Sequence, residues 1–356
     1  MAPQVNRFPE NPLISPENVK PSREGWEVVA TFNAGAIKFH DEILLLVRVA
    51  ERPQTNADEL AAPILDLASD PPSIQELRVR IDDPELIRGD PRLFNYKGRT
   101  YLTSISHLRV ARSRDGHHFT VEDQPALYPA TWNEAFGVED PRIVELDGRY
   151  YVNYTAVSQY GIATALAETR DFKEFTRHGI IFPPENRDVT IFPEKIAGWY
   201  ACHNRPAGHH IASLDMWAAF SHDLIHWGEH TRVMGTRPGY WDSERIGGGS
   251  VPLRTERGWL TIYHGADEQQ RYSLGAMLCE LDHPERVIAR SDEPLMRPEE
   301  PYEVEGFFSN VVFTCGTILQ GEDELIIYYG AADKFVCGAA VSLSQLLDSL
   351  STTANT

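Results

Sequence analysis

The stretch Gly-Val-Glu-Asp-Pro-Arg at residues 137–142 decides the interpretation of this chain, because a strand-like segment follows it directly. Residues 143–146 have the pattern of a β-strand, and residues 147–154 continue through an Asp-Gly turn into a second strand, which is typical of a β-hairpin. The motif therefore places an acidic pair, a proline and an arginine at the start of a predicted sheet. Asp140 is the residue that we expect to move a proton.

The same layout of a first strand, a turn and a second strand recurs along the chain. The predicted pairs are 31–37 with 42–48, 140–145 with 150–155, 190–196 with 199–205, 250–253 with 259–265, and 310–318 with 325–330. Ser/Thr-x-Asp turns ending at Asp115, Asp171 and Asp223 are each followed by an aromatic strand. Antiparallel units repeated about every 50 residues predict an all-β, five-bladed β-propeller. The one predicted helix is short and C-terminal, at residues 342–350.

The chain divides into an N-terminal arm at residues 1–25, a single propeller domain at 26–350 and a tail at 351–356. Residues 51–104 make the first unit too long, and residues 89–94 within them repeat the acid-Pro-Arg opening. We interpret 51–104 as an insertion in the first blade, with a sixth partial unit as the alternative. Its segment 52–75 would form an oligomer contact or a wall of the substrate site.

Composition excludes several classes of function. The formal charge of −19 and the sequence pI near 5.1 argue against a nucleic-acid partner. Four cysteines without a CxxC pair lie in apolar runs, which favours buried thiols in a reducing compartment. The chain has neither an apolar signal core at its start nor a run of about 18 apolar residues, so we expect a cytoplasmic protein with no membrane partner. The histidines have no metal-ligand spacing, and we predict no metal.

Loops at one face of a propeller form its site, so residues that open first strands or close second strands should converge. These residues are Asn33, Arg48, Asp140, Arg205, His264, Asn310 and Asp333. Acids, cations and amides together are expected of a sugar-binding pocket that also holds an anion. Each residue alone could equally be a satisfied structural polar group.

Ten ordered motifs across residues 10–348 carry a family resemblance. They are FNAGA (32–36), LLVRVAERP (45–53), SISHLRVARSRDG (104–116), GVEDPRI (137–143), NRDVTIFPEKI (186–196), HNRP (203–206), YWDSERIGGGSVP (240–252), YHGA (263–266), FFSNVVFTCG (307–316) and YYGAAD (328–333). The chain resembles the β-mannoside phosphorylases of glycoside hydrolase family 130. The resemblance implies a five-bladed propeller and a homo-oligomer. It also implies reversible, inverting phosphorolysis of a β-mannoside to α-mannose 1-phosphate, with inorganic phosphate as co-substrate and no cofactor.

The resemblance also assigns roles to residues. It makes Asp140 the proton donor, acting through a sugar hydroxyl, and Asp333 a sugar-contacting acid. It makes a set of basic residues the phosphate ligands: Arg187, Arg205, Arg245 and His264. Relatives commonly have Lys at positions 187 and 245, where a planar guanidinium changes the geometry offered to phosphate. They also have Leu-His where this chain has His203-Asn204, which puts the role of Asn204 in doubt.

Further candidates for substrate binding have plain structural alternatives. Asp90 and Glu139 neighbour the two acid-Pro-Arg motifs, and Asp90 could simply cap a turn. Tyr240, with Trp241, could stack on a sugar or pack in the core. Arg142 could pair with an adjacent acid and fix its loop. Two loop acids, Glu303 and Glu305, could supply the second carboxylate of a hydrolase.

The balance of acids and cations favours phosphorolysis. An inverting hydrolase needs two carboxyl groups around a water, whereas a phosphorylase needs one acid and a site that orients an anionic nucleophile. The alternatives are a β-mannosidase and a noncatalytic sugar-binding propeller. The long first blade and the loop at 237–249 favour a β-1,2-linked manno-oligosaccharide or mannobiose. A β-1,4 linkage, to glucose, N-acetylglucosamine or mannose, is the other possibility.

Overall fold

A computed structural model describes residues 3–208 and 213–352. The chain is all-β, with two short α-helices among the described residues, α1 (Pro301–Val304) and α2 (Leu343–Ser349). No helix in these two ranges has both the length and the apolar character needed to cross a membrane.

Residues 6–121 build a strand of the arm, a first sheet and two small sheets. Its strands are β1 (Asn6–Arg7), β2 (Trp26–Phe39), β3 (Glu42–Pro53), β4 (Glu59–Asp66), β5 (Ser73–Arg80), β6 (Leu86–Arg88), β7 (Leu93–Tyr96), β8 (Arg99–Leu102), β9 (Ile105–Ser113) and β10 (Thr120–Val121). Strands β2, β3, β9 and β10 form the antiparallel first sheet. Because β3 and β9 are hydrogen-bonded neighbours, the residues between them leave the sheet and return to it. They form a hairpin, β4–β5, and a three-stranded sheet, β6–β8.

Four further sheets follow in chain order. Their strands are β11 (Gly137–Leu146), β12 (Arg149–Ser158), β13 (Gly161–Thr169) and β14 (Thr176–Phe182) in the second; β15 (Asn186–Ile191), β16 (Tyr200–Pro206), β17 (Met216–Ser221) and β18 (Trp227–Met234) in the third; β19 (Arg245–Gly248), β20 (Leu253–Thr255), β21 (Gly258–Ala266), β22 (Tyr272–Cys279) and β23 (Val287–Arg290) in the fourth; and β24 (Val312–Gln320), β25 (Glu324–Ala331) and β26 (Phe335–Ser342) in the fifth. A last short strand, β27 (Ser351–Thr352), pairs with β23.

The N-terminal arm completes the fifth sheet. Strand β1 pairs antiparallel with β26, with Asn6 opposite Ala340, so the start of the chain is the outer neighbour of its last long strand. The first and second sheets are also joined, through a single parallel pair between Gly137 and Ser106.

Five clusters of buried apolar side chains fill the spaces between sheets. One cluster lies between each successive pair, from the first and second sheets to the fourth and fifth. A further cluster packs the fifth sheet on the first, through residues such as Leu45, Ile326 and Tyr328. The sheets therefore contact one another in a cyclic order. The four cysteines are buried in this packing and free.

The predicted second strands are confirmed, most of them within a few residues, such as 324–331 where 325–330 was expected, and the longest extension is 42–53 where 42–48 was expected. Two predicted first strands were wrong in position: 190–196 is observed as 186–191, and 250–253 lies between β19 and β20 except for its last residue. The C-terminal helix is also confirmed as α2, and its cap Ser342 accepts a hydrogen bond from the Gln345 amide. The first strand of the first sheet is much longer than predicted, because residues 26–30 continue the pairing with β3. Helix α1 was not predicted, since its four residues are too few to show a helical period.

Candidate active site

The acid-Pro-Arg motif forms a β-bulge at the start of β11. Pairing with β12 shifts register between Glu139 and Arg142, which leaves Asp140 with φ of 48°. Asp and Asn tolerate this left-handed conformation better than other side chains. Strand β2 has a similar bulge at Asn33, with φ of 47°. Gly35 lets the two bulges approach, because a Cβ there would lie 2.6 Å from the Pro141 carbonyl oxygen.

The bulges bring Asn33 and Arg48 onto the Asp140 carboxylate. Asn33 donates from Nδ2 to Asp140 Oδ1 at 2.9 Å, and Arg48 donates from Nη1 to the same oxygen at 3.0 Å. The other end of the Arg48 guanidinium donates to Glu139 Oε1 at 2.6 Å, and Ser106 donates to that oxygen at 3.3 Å. One guanidinium therefore fixes both carboxylates of the motif.

A third carboxylate, Asp333, faces the same guanidinium. Burial raises the pKa of Asp333 to about 7, with Arg48 opposing the rise and the Asp140 and Glu139 charges adding to it. Burial likewise raises the pKa of Glu139, against the attraction of Arg48. We call Glu139, Asp140 and Asp333 the acid group. Three carboxylates around one cation can retain a proton near neutral pH.

A second group is organised around Asp188, in the bulge of β15. Arg205 donates to Asp188 Oδ2 from Nε at 2.8 Å and from Nη2 at 2.7 Å, and His264 Nε2 lies 3.4 Å from this oxygen. Burial would raise the pKa of Asp188, but Arg205, His264 and Arg142 hold it well below its usual range. Burial lowers the pKa of His264, and Asp188 opposes that change.

Arg187 and Arg245 adjoin this pair. Arg187 stands directly opposite Arg205 in the β15–β16 ladder, a juxtaposition of like charges that is unfavourable unless anions offset it. Asp188 pairs with Arg205, and Glu185 Oε2 lies 3.5 Å from Arg187 Nη2. Arg245 donates to Tyr272 Oη at 2.9 Å, and the Tyr272 ring lies 6.0 Å from the His264 ring. Within residues 3–208 and 213–352, the buried Nε atoms of Arg187 and Arg245 have no hydrogen-bond partner. We call Arg187, Arg205, Arg245 and His264 the cation group.

Arg142 connects the acid group to Asp188, around which the cation group is organised. Its Nη1 donates to the Asp140 carbonyl at 3.1 Å, and its Nη2 lies 3.4 Å from Asp188 Oδ1. It also donates to the carbonyls of Gly248 and Gly249 at 2.9 and 3.2 Å. Arg142 is fully buried, and the acid it pairs with is Asp188, whereas the sequence had suggested an adjacent acid of its own motif. Its contact with the motif is to the backbone of Asp140.

A cleft of about 260 Å³ opens beside the acid group. Arg48, Glu139 and Asp333 line its floor together with Ser106. Three phenylalanines contribute apolar surface to its walls: Phe32, Phe136 and Phe307. The segment between β3 and β9 adds Arg92, Leu93 and Leu102. A mixed lining of this kind suits a pyranose ring, which has both apolar faces and hydroxyl groups.

The structure places several other candidates apart from these groups. Asp90 lies in the segment between β3 and β9, where Arg92 holds its carboxylate and lowers its pKa to about 2. Tyr240 is half exposed at a different cleft, and Trp241 is a core residue whose ring lies 5.4 Å from the Tyr263 ring, tilted by 32°. Asn310 lies at the entry to β24, and its carbonyl accepts from the Tyr272 amide at 3.0 Å.

The two proposed hydrolase acids lie elsewhere as well. Glu303 is fully buried and accepts from Arg7 at 2.8 Å and from the Tyr329 hydroxyl at 2.7 Å, which is a structural role. Glu305 is exposed. The doubt over Asn204 also has an answer, because this side chain joins Asn186 to the Trp217 carbonyl within the third sheet.

Sequence reasoning missed Asp188, although it singled out the neighbouring Arg187. The available signal was positional, because Asp188 and Asp140 occupy matching bulges of successive first strands, both with positive φ. A repeat alignment that compared the bulges would have found it. The need for Gly247 also escaped notice: a Cβ there would lie 2.5 Å from Asp188 Oδ2 and 2.6 Å from the His264 ring.

An acid group beside a buried cation group has the chemistry expected of a site for a polyhydroxyl ligand and an anion. Comparison with known proteins agrees with this class. A family 130 glycoside hydrolase model, described as β-1,4-mannooligosaccharide phosphorylase, matches residues 86–352. The chain belongs to this family.

One curated relative matches nearly the whole chain, and another matches about two thirds of it. A β-1,2-mannobiose phosphorylase of Listeria innocua is 45% identical over 352 residues, which are 97% of this chain and 98% of the relative. A 1,2-β-oligomannan phosphorylase of Thermoanaerobacter is 40% identical over 249 residues, which are 69% of this chain and 82% of the relative. The solved complex of Listeria innocua β-1,2-mannobiose phosphorylase with β-1,2-mannobiose has a TM-score of 0.91 at 45% identity, covering 98% of this chain and 99% of that one.

Proposed function

We propose that this chain catalyses reversible, inverting phosphorolysis of a β-1,2-linked mannobiose or manno-oligosaccharide and releases α-mannose 1-phosphate. Support comes from membership of family 130 and from the β-1,2 activity in the names of relatives that are 45% and 40% identical. The observation that carries the proposal is the connection through Arg142 between an acid bulge at Asp140 and a buried cation group around Asp188.

In this proposal Asp140 supplies the proton and the cation group orients the nucleophile. A phosphate oxygen bonds to the anomeric carbon as the bond from that carbon to the glycosidic oxygen breaks. Asp140 delivers a proton to the leaving oxygen through a sugar hydroxyl, and the proton lost by hydrogen phosphate restores the acid. Arginine forks and an imidazole offer charge-assisted hydrogen bonds in fixed directions, which aligns the phosphate for attack. Asn33, Arg48, Glu139 and Asp333 contact the sugar. The proposal assigns no metal or other cofactor.

A β-mannosidase is the second candidate, because the acid group holds more carboxylates than phosphorolysis requires. In that case Glu139 or Asp333 would activate a water opposite the acid. Both face Arg48, as Asp140 does, which favours a shared role on one side of the sugar over a split between two sides.

The deciding experiment incubates the enzyme with β-1,2-mannobiose with and without inorganic phosphate, then runs the reaction in reverse. We expect phosphate-dependent release of α-mannose 1-phosphate and, from α-mannose 1-phosphate and mannose, formation of a β-1,2 linkage by NMR. Mannose release that is independent of phosphate would establish the hydrolase instead. Glucose and N-acetylglucosamine as acceptors test the β-1,4 alternatives.

The proposal includes the architecture and the setting of the enzyme. Five sheets in cyclic contact, with β1 completing the fifth, fit a five-bladed β-propeller whose first strands line the centre. Four free, buried cysteines suit a reducing cytoplasm. We expect a homo-oligomer, which light scattering after size-exclusion chromatography would test.

A further inference from the structure

A second cleft, of about 370 Å³, lies next to the cation group in the fourth sheet. Its lining includes the half-exposed ring of Tyr240, the edge of Trp241 and the loop at residues 267–271. That loop borders both the cation group and the cleft. Gln270 accepts from Arg245 Nη2 at 2.7 Å, and Gln269 lines the cleft. The volume is within the range of small-ligand sites.

The Tyr240 ring is held in place by a neighbouring arginine, although half of the residue is exposed. The Arg237 guanidinium lies 4.7 Å from its ring centre, and 52% of Tyr240 remains exposed. Arg237 is itself locked by two hydrogen bonds to the fully buried Asp242, at 3.0 and 2.9 Å, and by another to the Ser291 carbonyl. Arg290 and the Tyr263 hydroxyl also donate to Asp242, at 2.7 and 2.9 Å. Because the Tyr240 ring is already held in place, a ligand that packs on it loses little binding free energy to side-chain ordering.

The charges around the cleft largely cancel one another. Three carboxylates line it against two guanidiniums: Asp267, Glu268 and Glu299, against Arg271 and Arg297. Asp267 pairs with Arg271 at 2.7 Å. The lining as a whole thus offers hydrogen-bond donors and acceptors around an aromatic face, with little net attraction for an ion. This chemistry fits a neutral sugar, whose axial C–H groups pack on a ring while its hydroxyls meet polar side chains.

We propose that this Tyr240 cleft is a distal subsite that binds a mannosyl residue of the substrate chain beyond the disaccharide at the acid group. The inference rests on the proposed function for its substrate. It makes Tyr240, which belongs to neither the acid group nor the cation group, the residue that favours longer substrate chains.

The test compares Tyr240→Ala, Tyr240→Phe and the control Trp199→Ala. Trp199 is another surface aromatic, and it precedes β16 at the end opposite Arg205. The measured quantity is the ratio of kcat/KM for β-1,2-mannotetraose to kcat/KM for β-1,2-mannobiose. We expect Tyr240→Ala to lower this ratio about tenfold, a loss in the range found for aromatic contacts. Tyr240→Phe and Trp199→Ala should keep the wild-type ratio, because stacking requires the ring and not the hydroxyl.

A ratio in Tyr240→Ala equal to that of the wild type would overturn the proposal. So would a changed oligomeric state of this variant in sedimentation velocity, because Tyr240 would then pack on a second copy. Calorimetric titration with mannotetraose in the absence of phosphate provides a readout independent of turnover. One outcome separates the two proposals: the wild type binds mannotetraose, Tyr240→Ala binds it at least tenfold more weakly, and neither protein turns over any mannoside. That outcome would support the subsite and reject the proposed reaction. Equal binding by both proteins would reject the subsite.

Discussion

At the scale of single residues, the proposed proton transfer depends on Asp140. Replacing its carboxylate with an amide keeps the acceptor for Asn33 and Arg48 but removes the proton. We expect Asp140→Asn to fold normally and to lose about 10²–10⁴ in kcat, the range for general acid catalysis. Single-turnover phosphorolysis and a thermal melt measure the two effects. The matched control is Asp90→Asn, which alters the other acid-Pro-Arg motif. It should keep kcat, because Asp90 reaches the cleft only through Arg92 and an effect there falls on the KM for mannobiose. Full activity in Asp140→Asn would place the acid elsewhere.

Asp333 gives a prediction for stability against pH. Its pKa is about 7 in the folded chain, against 3.8 as the ordinary value, so the folded state holds its proton more tightly. The unfolded chain releases that proton first as pH rises, and the free energy of unfolding therefore falls between about pH 4 and pH 7. Asn carries no such proton. We expect Asp333→Asn to gain about 2 to 4 kcal/mol relative to wild type from pH 4 to pH 8, since one pKa unit is worth about 1.4 kcal/mol.

Urea unfolding at several pH values measures this difference. The control is Asp82→Asn, which removes an exposed carboxylate whose pKa is lowered by its hydrogen bond to Arg80 and should show no gain toward alkaline pH. A difference between Asp333→Asn and wild type that stays constant with pH would mean that Asp333 does not titrate in this window.

The sequence predicted residues of the site best where a motif carries both chemistry and geometry. Asp140, Asn33 and Arg48 were placed together because each opens or closes a predicted strand, and the structure brings them within hydrogen-bond distance. Asp188 was missed because its partners, Arg205 and His264, come from strands whose bulges and register the one-dimensional pattern does not contain. Which of two identical Asp-Pro-Arg motifs is central is likewise decided by packing.

At the scale of strands, β19 shows how a backbone requirement supports the cation group. Gly247 lies opposite His264 in the ladder, and a methyl group there would meet both Asp188 and His264. We expect Gly247→Ala to displace one of them and to raise the KM for phosphate at least tenfold, with a smaller effect on the KM for mannobiose.

Gly228→Ala in β18 is the matched control, because a Cβ there meets nothing within 4 Å and the position is also in a strand. It should leave both KM values unchanged. If Gly247→Ala also leaves the phosphate KM unchanged while the melts show both variants folded, the cation group does not bind phosphate.

The segment between β3 and β9, residues 54–104, contains strands that the sequence pattern does not reveal. Its five strands were not predicted one by one, because short strands in polar sequence show little periodicity. The residues of this segment that line the cleft, such as Arg92, Leu93 and Leu102, lie outside 52–75, the part that was expected to form a wall of the site. Long second strands such as β25 were predictable because both of their faces are buried and they form continuous apolar runs.

At the scale of the whole molecule, the contact between the two ends of the chain is the feature that sequence patterns describe least. The polar arm at residues 1–25 shows no strand periodicity, yet β1 completes the fifth sheet. Repeat spacing predicted a series of antiparallel units, but not which segment would supply the last outer strand. Pairing across more than 330 residues depends on the cyclic packing of all five sheets.

This closing contact can be tested through Arg7, which donates from β1 to the fully buried Glu303 at 2.8 and 3.0 Å. Arg7→Ala leaves that carboxylate buried without its cation, although the Tyr329 hydroxyl still donates to it. Breaking a buried pair from one side costs about 3 kcal/mol, so we expect a melting temperature lower by several degrees. Lys20→Ala removes an exposed partner of Asp123 and should cost less than about 1 kcal/mol. Equal melting temperatures for the two variants would mean that the arm contributes little to holding the first and last sheets together.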